Sequence, residues 1–137
     1  MNPNPIFLHP DARSDLAAIR NTNPKAWGRI VALLEQIKCD PKLVDKLLDH
    51  KFEETHGEIF SVSKFLEFWN AGLDIWRIKA VDPKSPAVPF RIVYAYDMKG
   101  LRFYVLAVVD RSFNYDANHN ITKRIRGAYE ELGLPIS

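Results

Sequence analysis

Three apolar segments in the second half of the chain decide the fold: LDIWRIKAV (73–81), PFRIVYAYD (89–97) and RFYVLAVVDRSFNYD (102–116). They are rich in Ile, Val, Tyr, Phe and Trp, which suit a pleated, half-buried surface. The turn sequence DMKG (97–100) separates the last two segments, and the proline-rich linker DPKSPAVP (82–89) separates the first two. We therefore predict a three-stranded antiparallel sheet within 73–115.

Helical patterns flank this sheet on both sides. Asp11 is predicted to cap a helix over 12–21, and Asn23-Pro24 to begin a second helix that ends near residue 38. Asp40-Pro41 begins a shorter helix. A last helix follows residue 118 and ends near 132, with its apolar stripe formed by Ile121, Ile125, Ala128 and Leu132.

Residues 6–8 are predicted to form an edge strand, and 50–72 a polar loop followed by one or two helical turns. Helices followed by consecutive strands indicate an α+β fold. We expect a single domain over 1–137, with N-terminal helices packed on one face of a small antiparallel sheet and a C-terminal helix. The other face of the sheet is then expected to be free for binding.

Composition excludes several classes of protein. Hydrophobic residues make up 47% and charged residues 26%, as in ordinary globular domains. Cys39 is the single cysteine, so an intrachain disulfide is impossible, and no leader or membrane-spanning run is visible. These features favour a cytoplasmic protein with no membrane partner.

Cofactor motifs are absent from the sequence. It has neither GxxxxGK[ST] nor GxGxxG, so no nucleotide cofactor is expected. The segment HKFEETH (50–56) is not HExxH, and its two histidines do not share a helical face. We predict a polar loop there, no metal site and no cofactor of any kind.

Positive charge is concentrated in one part of the chain. Residues 73–126 carry 10 Lys/Arg and 5 Asp/Glu, a balance of +5, whereas residues 1–72 carry 9 and 10, a balance of −1. A basic segment in a nearly neutral chain suggests an anionic partner, with nucleic acid first. A solvated basic face explains the same charges equally well.

Alternation along the strands sorts these cations by face. Arg77 and Lys79 share the face opposite Trp76, Ile78 and Ala80. Arg91 shares its predicted face with Val93 and Ala95. Arg111 shares its own with Ala107 and Val109, so both arginines stand on faces that otherwise hold mostly small or aliphatic residues. If these faces coincide, four cations converge on one surface.

Such a surface suits a phosphodiester, because the arginine guanidinium matches phosphate oxygens. Cleavage of RNA by its own 2′-hydroxyl needs a proton acceptor, a group that stabilises charge on the phosphate, and help for the leaving oxygen. Phe113 and Tyr115 are placed to stack on bases.

The patterns WRIK (76–79), FRIVY (90–94) and VLAVVDR (105–111), followed by Tyr115, resemble the RelE/ParE superfamily of bacterial toxins. The preceding helix pair and the C-terminal helix fit the same family. The resemblance implies a RelE-like fold and a ribosome-dependent endoribonuclease, a metal-independent enzyme that cleaves mRNA and inhibits translation. It also implies a cognate antitoxin protein as partner, beside the ribosome and mRNA.

The resemblance assigns provisional roles to individual residues. Arg91 is expected to contact the scissile phosphate, and Arg111 to stabilise the transition state or support the leaving group. Lys79 is expected to orient or deprotonate the 2′-hydroxyl, and Tyr115 to stack or transfer a proton. Asp110 departs from the family pattern, which often has a basic residue there. The predicted RNA-binding residues are Arg77, Phe113, Lys123, Arg124 and Arg126.

Two alternatives remain at this point. A ParE-like toxin would inhibit DNA gyrase without cleaving RNA, and a binding-only member of the same fold would simply receive a partner peptide. The retained cations and Tyr115 favour the nuclease. His119, near Tyr115 in sequence, is a candidate acid or base, but a surface histidine at a helix start explains it more simply.

Overall fold

The fold is taken from a computed structural model, which describes residues 5–50, 52, 60–80, 88–113, 115–116 and 118–136. The strands are β1 (Ile6–Leu8), β2 (Phe60–Lys64), β3 (Ile75–Ala80), β4 (Phe90–Asp97) and β5 (Arg102–Asp110). The helices are α1 (Pro10–Thr22), α2 (Pro24–Cys39), α3 (Pro41–Asp45), α4 (Leu66–Asn70) and α5 (Asn120–Glu131), with a 3-10 turn at Lys46–Leu48. The α+β class is confirmed.

The strands form one mixed sheet in the order β1-β5-β4-β3-β2. β1 runs parallel to β5, and all other neighbours are antiparallel. The three predicted antiparallel strands β3, β4 and β5 form the centre, and β1 confirms the predicted edge strand. The prediction missed β2, which lies at the other edge. The linker 82–89 lies largely outside the described residues.

Two buried clusters pack on opposite faces of the sheet. The first lies between α1, α2 and the sheet and includes Ile30, Leu33, Ile37, Trp76, Ile78, Ile92, Tyr94, Phe103 and Val105. The second lies between the sheet, α4 and α5 and includes Phe68, Ile75, Val93, Ala95, Leu106, Val109, Ile125 and Tyr129. The expectation of a wholly free second face is therefore wrong, because α4 and α5 cover much of it.

A β-bulge in β5 corrects the predicted alternation. Val93 pairs with Ala107 and Tyr94 with Val105, so Leu106 is an extra residue. Beyond it the pattern reverses, and Val108 joins the first cluster. The alternation predicted for β3 and β4 is confirmed, because neither strand carries an insertion.

The helix starts follow from local capping. The backbone N–H of Ala26 donates to Oδ1 of Asn23 (3.1 Å), and that of Lys42 to Oδ1 of Asp40 (3.0 Å). The first helix is capped by His9 instead of Asp11, since Nδ1 of His9 accepts from the N–H of Asp11 (3.1 Å). Among the described residues, no helix is long and apolar enough to cross a membrane.

α5 is rotated relative to its predicted stripe. Ile125 and Ala128 are buried as expected, but Tyr129 and Thr122 complete the buried face, while Ile121 and Leu132 are half-buried. The hydroxyl of Tyr129 donates to the carbonyl of Pro135 (2.5 Å) and accepts from the N–H of Asp74 (3.2 Å). These bonds fix the C-terminal end of α5 to the start of β3.

Candidate functional site: a basic cluster at one end of the sheet

The strand register brings three predicted cations together. Lys79 of β3 lies directly opposite Arg91 of β4, and Arg77, two residues earlier, shares their face. Arg91 in turn lies opposite Val109 of β5, and Arg111 follows two residues later. We call Arg77, Lys79, Arg91 and Arg111 the basic cluster. Among the described residues, it lies on the part of the second face that α4 and α5 do not cover.

The neighbouring charges and burial both affect the ionisation of Arg91. Burial lowers the pKa of its guanidinium, and the positive charges of Arg77 and Arg111 lower it further, while the negative charge of Asp110 acts in the opposite direction. Nη1 of Arg91 donates to the carbonyls of Val88 (3.2 Å) and Phe90 (3.1 Å). An anion bound here would relieve the repulsion between the arginines.

Arg77 is held in place by β2 and by an aromatic ring. Its Nε donates to Oγ of Ser63 (3.2 Å), and its guanidinium carbon lies 4.9 Å from the ring centre of Phe65. Both contacts are compatible with a planar guanidinium that still presents donors outward. Lys79 and Arg111 are exposed.

An aromatic cluster formed by Phe65, Phe68, Phe113 and Tyr115 lies beside the basic cluster. Phe65 meets Phe113 at 6.1 Å between ring centres, and Phe68 meets Tyr115 edge-on at 5.0 Å. Because Arg77 stacks on Phe65, the two clusters are continuous. The predicted residues Phe113 and Tyr115 are thus near the cations, and both are half-buried.

The carboxylate of Asp110 accepts hydrogen bonds from the nearby residue Ser112. Its Oδ1 accepts from the hydroxyl (2.6 Å) and the N–H (2.8 Å) of Ser112. These two bonds chiefly lower the pKa of Asp110, and Arg111 and Arg91 add to the effect. Asp110 pairs with Phe90 in the register, so it alternates away from Arg91. It remains ionised at neutral pH and offsets part of the cluster's charge.

The cations of α5 do not all join this site. Nη1 of Arg124 binds Oδ2 of Asp15 (3.1 Å), which ties α5 to α1. Arg126 binds Glu130 one turn later (3.3 Å), and Lys123 is exposed in the first turn. His119 is the N-cap of α5, since its Nδ1 accepts from the N–H of Ile121 (3.0 Å), and its ring contacts Phe113.

Sequence reasoning missed the contribution of β2. Ser61 lies opposite Lys79 and Ser63 opposite Arg77, so both serines line the basic cluster. The alternation of buried Phe60 and Val62 with these serines is a period-2 signal that predicts a strand. It was hidden because the preceding polar residues indicate a loop.

Nothing in the described part of the chain forms a group of three His, Cys, Asp or Glu side chains able to hold a metal ion. His50 is engaged by the backbone, since its Nδ1 accepts from the N–H of Lys64 (2.9 Å). His56 and its neighbouring glutamates lie outside the described residues.

Comparison with known proteins identified no relative of this chain. No protein-family model, no curated protein and no solved structure matches the chain. Function must therefore be argued from the site alone.

Proposed function

We propose that this protein is an endoribonuclease that cleaves mRNA on the ribosome, as the toxin of a toxin–antitoxin pair. One observation carries the proposal: the register brings Arg77, Lys79 and Arg91 to one face at the same end of the sheet, and Arg111 follows Val109, the partner of Arg91, by two residues. A phosphodiester is the ligand that such a group of arginines suits best.

The reaction assigned to this site is attack of a 2′-hydroxyl on the adjacent phosphate. Lys79 orients the hydroxyl or accepts its proton, and Arg91 binds the phosphate oxygens. Arg111 stabilises the negative charge that develops in the transition state. The attacking oxygen forms a bond to phosphorus while the bond to the 5′-oxygen breaks, which leaves a 2′,3′-cyclic phosphate and a 5′-hydroxyl.

The aromatic cluster supports recognition of single-stranded RNA. Bases unstacked from a strand commonly pack on Phe and Tyr rings, and Phe113 and Tyr115 are half-buried next to the cations. Tyr115 is assigned stacking or proton transfer at the leaving oxygen. Arg77 binds a neighbouring phosphate, held at its angle by Ser63 and Phe65.

A RelE-like arrangement accounts for the remaining elements. The helix pair α1–α2 follows the first strand, the antiparallel strands β3, β4 and β5 come later in the chain, and α5 follows them. On this reading the partners are an antitoxin, the ribosome and mRNA, and the protein acts in the cytoplasm. β2 and the linker 82–89 are additions to the minimal pattern.

Induction in bacteria tests the proposal directly. Synthesis of the protein should stop growth and create new 5′ ends within translated mRNA. Arg91→Ala and Arg111→Ala should each restore growth while circular dichroism and thermal unfolding stay close to the parent. Arg13→Ala is the matched control, since Arg13 is an exposed arginine of α1, which packs on the opposite face. It should remain toxic.

Other results would select the alternative functions. Growth arrest with intact mRNA and an induced DNA-damage response would indicate gyrase inhibition. Normal growth combined with tight binding to a small co-expressed protein would indicate a binding-only member.

Replacement of one substrate hydroxyl tests the chemistry. With programmed ribosomes, an mRNA carrying a single 2′-deoxynucleotide at the mapped cleavage position should resist cutting there. The unmodified product should end in a 2′,3′-cyclic phosphate, and chelation of free divalent ions should not abolish cutting by ribosomes already assembled. Cutting of the deoxy substrate at an unchanged rate would refute the 2′-hydroxyl mechanism.

A further inference from the structure

The outer edge of β1 is an unpaired edge of the sheet. β1 is the terminal strand in the order, and among the described strands it pairs with β5 alone. The N–H of His9, directly after β1, donates to the carbonyl of Val105 in β5 (2.9 Å). Because the backbone groups of successive strand residues point alternately to opposite sides, those of Ile6 and Leu8 point away from β5. No hydrogen bond joins these groups to another described residue.

A groove lies beside this edge, on the face of the sheet that α1 and α2 cover. It consists of two cavities of about 570 and 80 Å³, which share Leu8 and Leu16 in their walls. Trp27, Val31 and Leu34 of α2 form further walls, and their spacing places them on one side of that helix. We call this the β1 groove. Its apolar walls border the unpaired edge on one face of the sheet.

The opposite face of β1 is also apolar. Phe7 is 46% exposed, and its ring centre lies 6.0 Å from that of Tyr104. β1 contains no charged side chain, although charged residues are a common means by which edge strands avoid pairing with other chains. An uncharged, unpaired edge with apolar surface on both faces therefore favours the addition of a further strand.

Two arginines make the rim of the β1 groove positive. Arg13 and Arg20 lie two turns apart on α1, line the larger cavity and are exposed. The guanidinium carbon of Arg20 lies 4.8 Å from the ring centre of Trp27. Glu35 is the single carboxylate among the described residues that line the two cavities, and it already pairs with Lys38 (3.8 Å). An acidic segment complements this rim, whereas a second copy of the chain carries the same positive charges.

We propose that an extended, acidic segment of a partner protein adds a strand to the free edge of β1. Its backbone bonds to the outward N–H and C=O groups of Ile6 and Leu8. Alternate apolar side chains of the segment enter the β1 groove or pack on Phe7, and an acidic side chain pairs with Arg13 or Arg20. The groove borders the first buried cluster, whereas the basic cluster lies on the second face. The inference therefore stands independently of the proposed RNA cleavage.

A phage-displayed library of random peptides, screened against the full chain, provides the probe. Selected peptides should alternate apolar with polar residues and carry more Asp and Glu than Lys and Arg. Selection of no peptide, or of peptides without an acidic excess, would overturn the proposal. Because no RNA is present, these outcomes do not depend on whether the protein cleaves RNA.

Amide hydrogen exchange of the isotopically labelled chain locates the most tightly bound selected peptide. In the free chain the Leu8 amide should exchange quickly, while the His9 amide, which is bonded to Val105, should exchange slowly. A saturating amount of peptide should slow exchange at Leu8 by at least about tenfold, the equivalent of one hydrogen bond. Unchanged exchange at Leu8, or protection confined to the basic cluster, would refute the assignment.

Two neighbouring alanines of α1 provide matched variants. Ala17 and Ala18 are both exposed, but Ala17 lines the larger cavity between Arg13 and Arg20, and Ala18 lines neither. Ala17→Glu should weaken peptide binding by about tenfold, because it places a negative charge beside the acidic segment and neutralises the arginines. Ala18→Glu adds the same charge outside the groove and should weaken binding by less than about threefold. Equal affinities of folded Ala17→Glu and the parent would contradict the proposal.

The oligomeric state of the free chain distinguishes a second copy from a partner protein. Analytical ultracentrifugation should show a monomer, in which the Leu8 amide exchanges quickly. A dimer in which that amide is protected would assign the edge to a second copy of the chain and overturn the proposal.

Discussion

At the scale of single residues, Arg91 combines a position in the proposed RNA site with a cost in stability. Burial and the charges of Arg77 and Arg111 lower the pKa of its guanidinium, so the charged form is disfavoured in the folded state. Groups arranged in this way concentrate at functional sites, where stability is sacrificed for binding. The sequence placed Arg91 on the correct face, but the repulsion depends on strand register.

Arg91→Met should therefore raise the free energy of unfolding at low ionic strength. The substitution removes like-charge repulsion and keeps an unbranched chain of similar length. Since the group is partly exposed, the expected gain is only roughly 0.5 kcal/mol, and salt should reduce it. Urea denaturation at low and high salt measures both effects.

Lys99→Met provides the control for that measurement. Lys99 is exposed in the hairpin turn, away from the basic cluster. Its substitution should change stability little at either salt concentration. A loss of stability in Arg91→Met that is independent of salt would mean that the bonds to Val88 and Phe90 matter more than the repulsion.

At the scale of elements, predictability depended on whether a pattern was interrupted. β3 and β4 carry uninterrupted alternation, and their faces were predicted correctly. β5 was predicted as a strand, but the extra residue Leu106 exchanges the faces of the residues that follow it. An unbroken apolar run contains no signal that predicts such a bulge. β1 was found from three residues, whereas β2 was hidden behind a polar segment.

The edge of β5 beyond β1 is closed by a side chain from α1. β1 pairs only with Phe103–Val105, and the N–H of Val108 then donates to Oδ2 of Asp15 (2.9 Å). The same oxygen accepts from Arg124 of α5. One carboxylate thus joins α1, β5 and α5, which protects a strand edge that would otherwise be unpaired.

Asp15→Ala should lower the free energy of unfolding by about 2 kcal/mol, because it leaves a backbone donor and a guanidinium without their acceptor. Ser14→Ala, at the neighbouring exposed position, should change it by less than about 0.5 kcal/mol. Chemical denaturation measures both. A double-mutant cycle with Arg124→Ala should show coupling, and strict additivity would contradict the joint role.

Tyr94 links β4 to the 3-10 turn through its hydroxyl, which donates to the carbonyl of Leu47 (2.5 Å). Burial raises the pKa of this phenol well above its ordinary value, and the charge of Asp74 raises it further. The unfolded chain, with a pKa near 10, therefore ionises first. Stability contributed by Tyr94 is present below pH 10 and lost as pH rises above it.

Tyr94→Phe should cost about 2 kcal/mol at pH 7, because the buried carbonyl of Leu47 loses its donor. Above pH 10 the parent should lose stability faster than the variant, so the difference between them should shrink. Urea denaturation between pH 7 and 11 tests this sign. A difference that stays constant over the whole range would contradict the role of the phenol.

At the scale of the whole molecule, the two layers of helices explain where a site can form. Among the described residues, α4 and α5 cover the second face except where the basic cluster lies, so the uncovered surface is much smaller than the sequence predicted. The alternation of side chains along one β-strand identifies which residues share a face of the sheet. It does not show how much of that face a later helix covers. Arg124 illustrates this limit, since the sequence does not reveal its hydrogen-bond partner Asp15, which is 109 residues away.

The salt dependence of RNA binding tests the basic cluster as a unit. A 2′-O-methyl oligonucleotide lacks the attacking hydroxyl and should bind without being cut. If the cluster neutralises three phosphates, the logarithm of the association constant should fall with the logarithm of salt concentration with a slope of about −2. Arg91→Met should make this slope shallower by about 0.7, the value for one single-strand phosphate contact. Arg13→Met should leave it unchanged, because Arg13 belongs to the opposite helical layer. Equal slopes for the parent and Arg91→Met would place the RNA on another surface, because the loss of a phosphate contact must reduce the number of counterions released on binding.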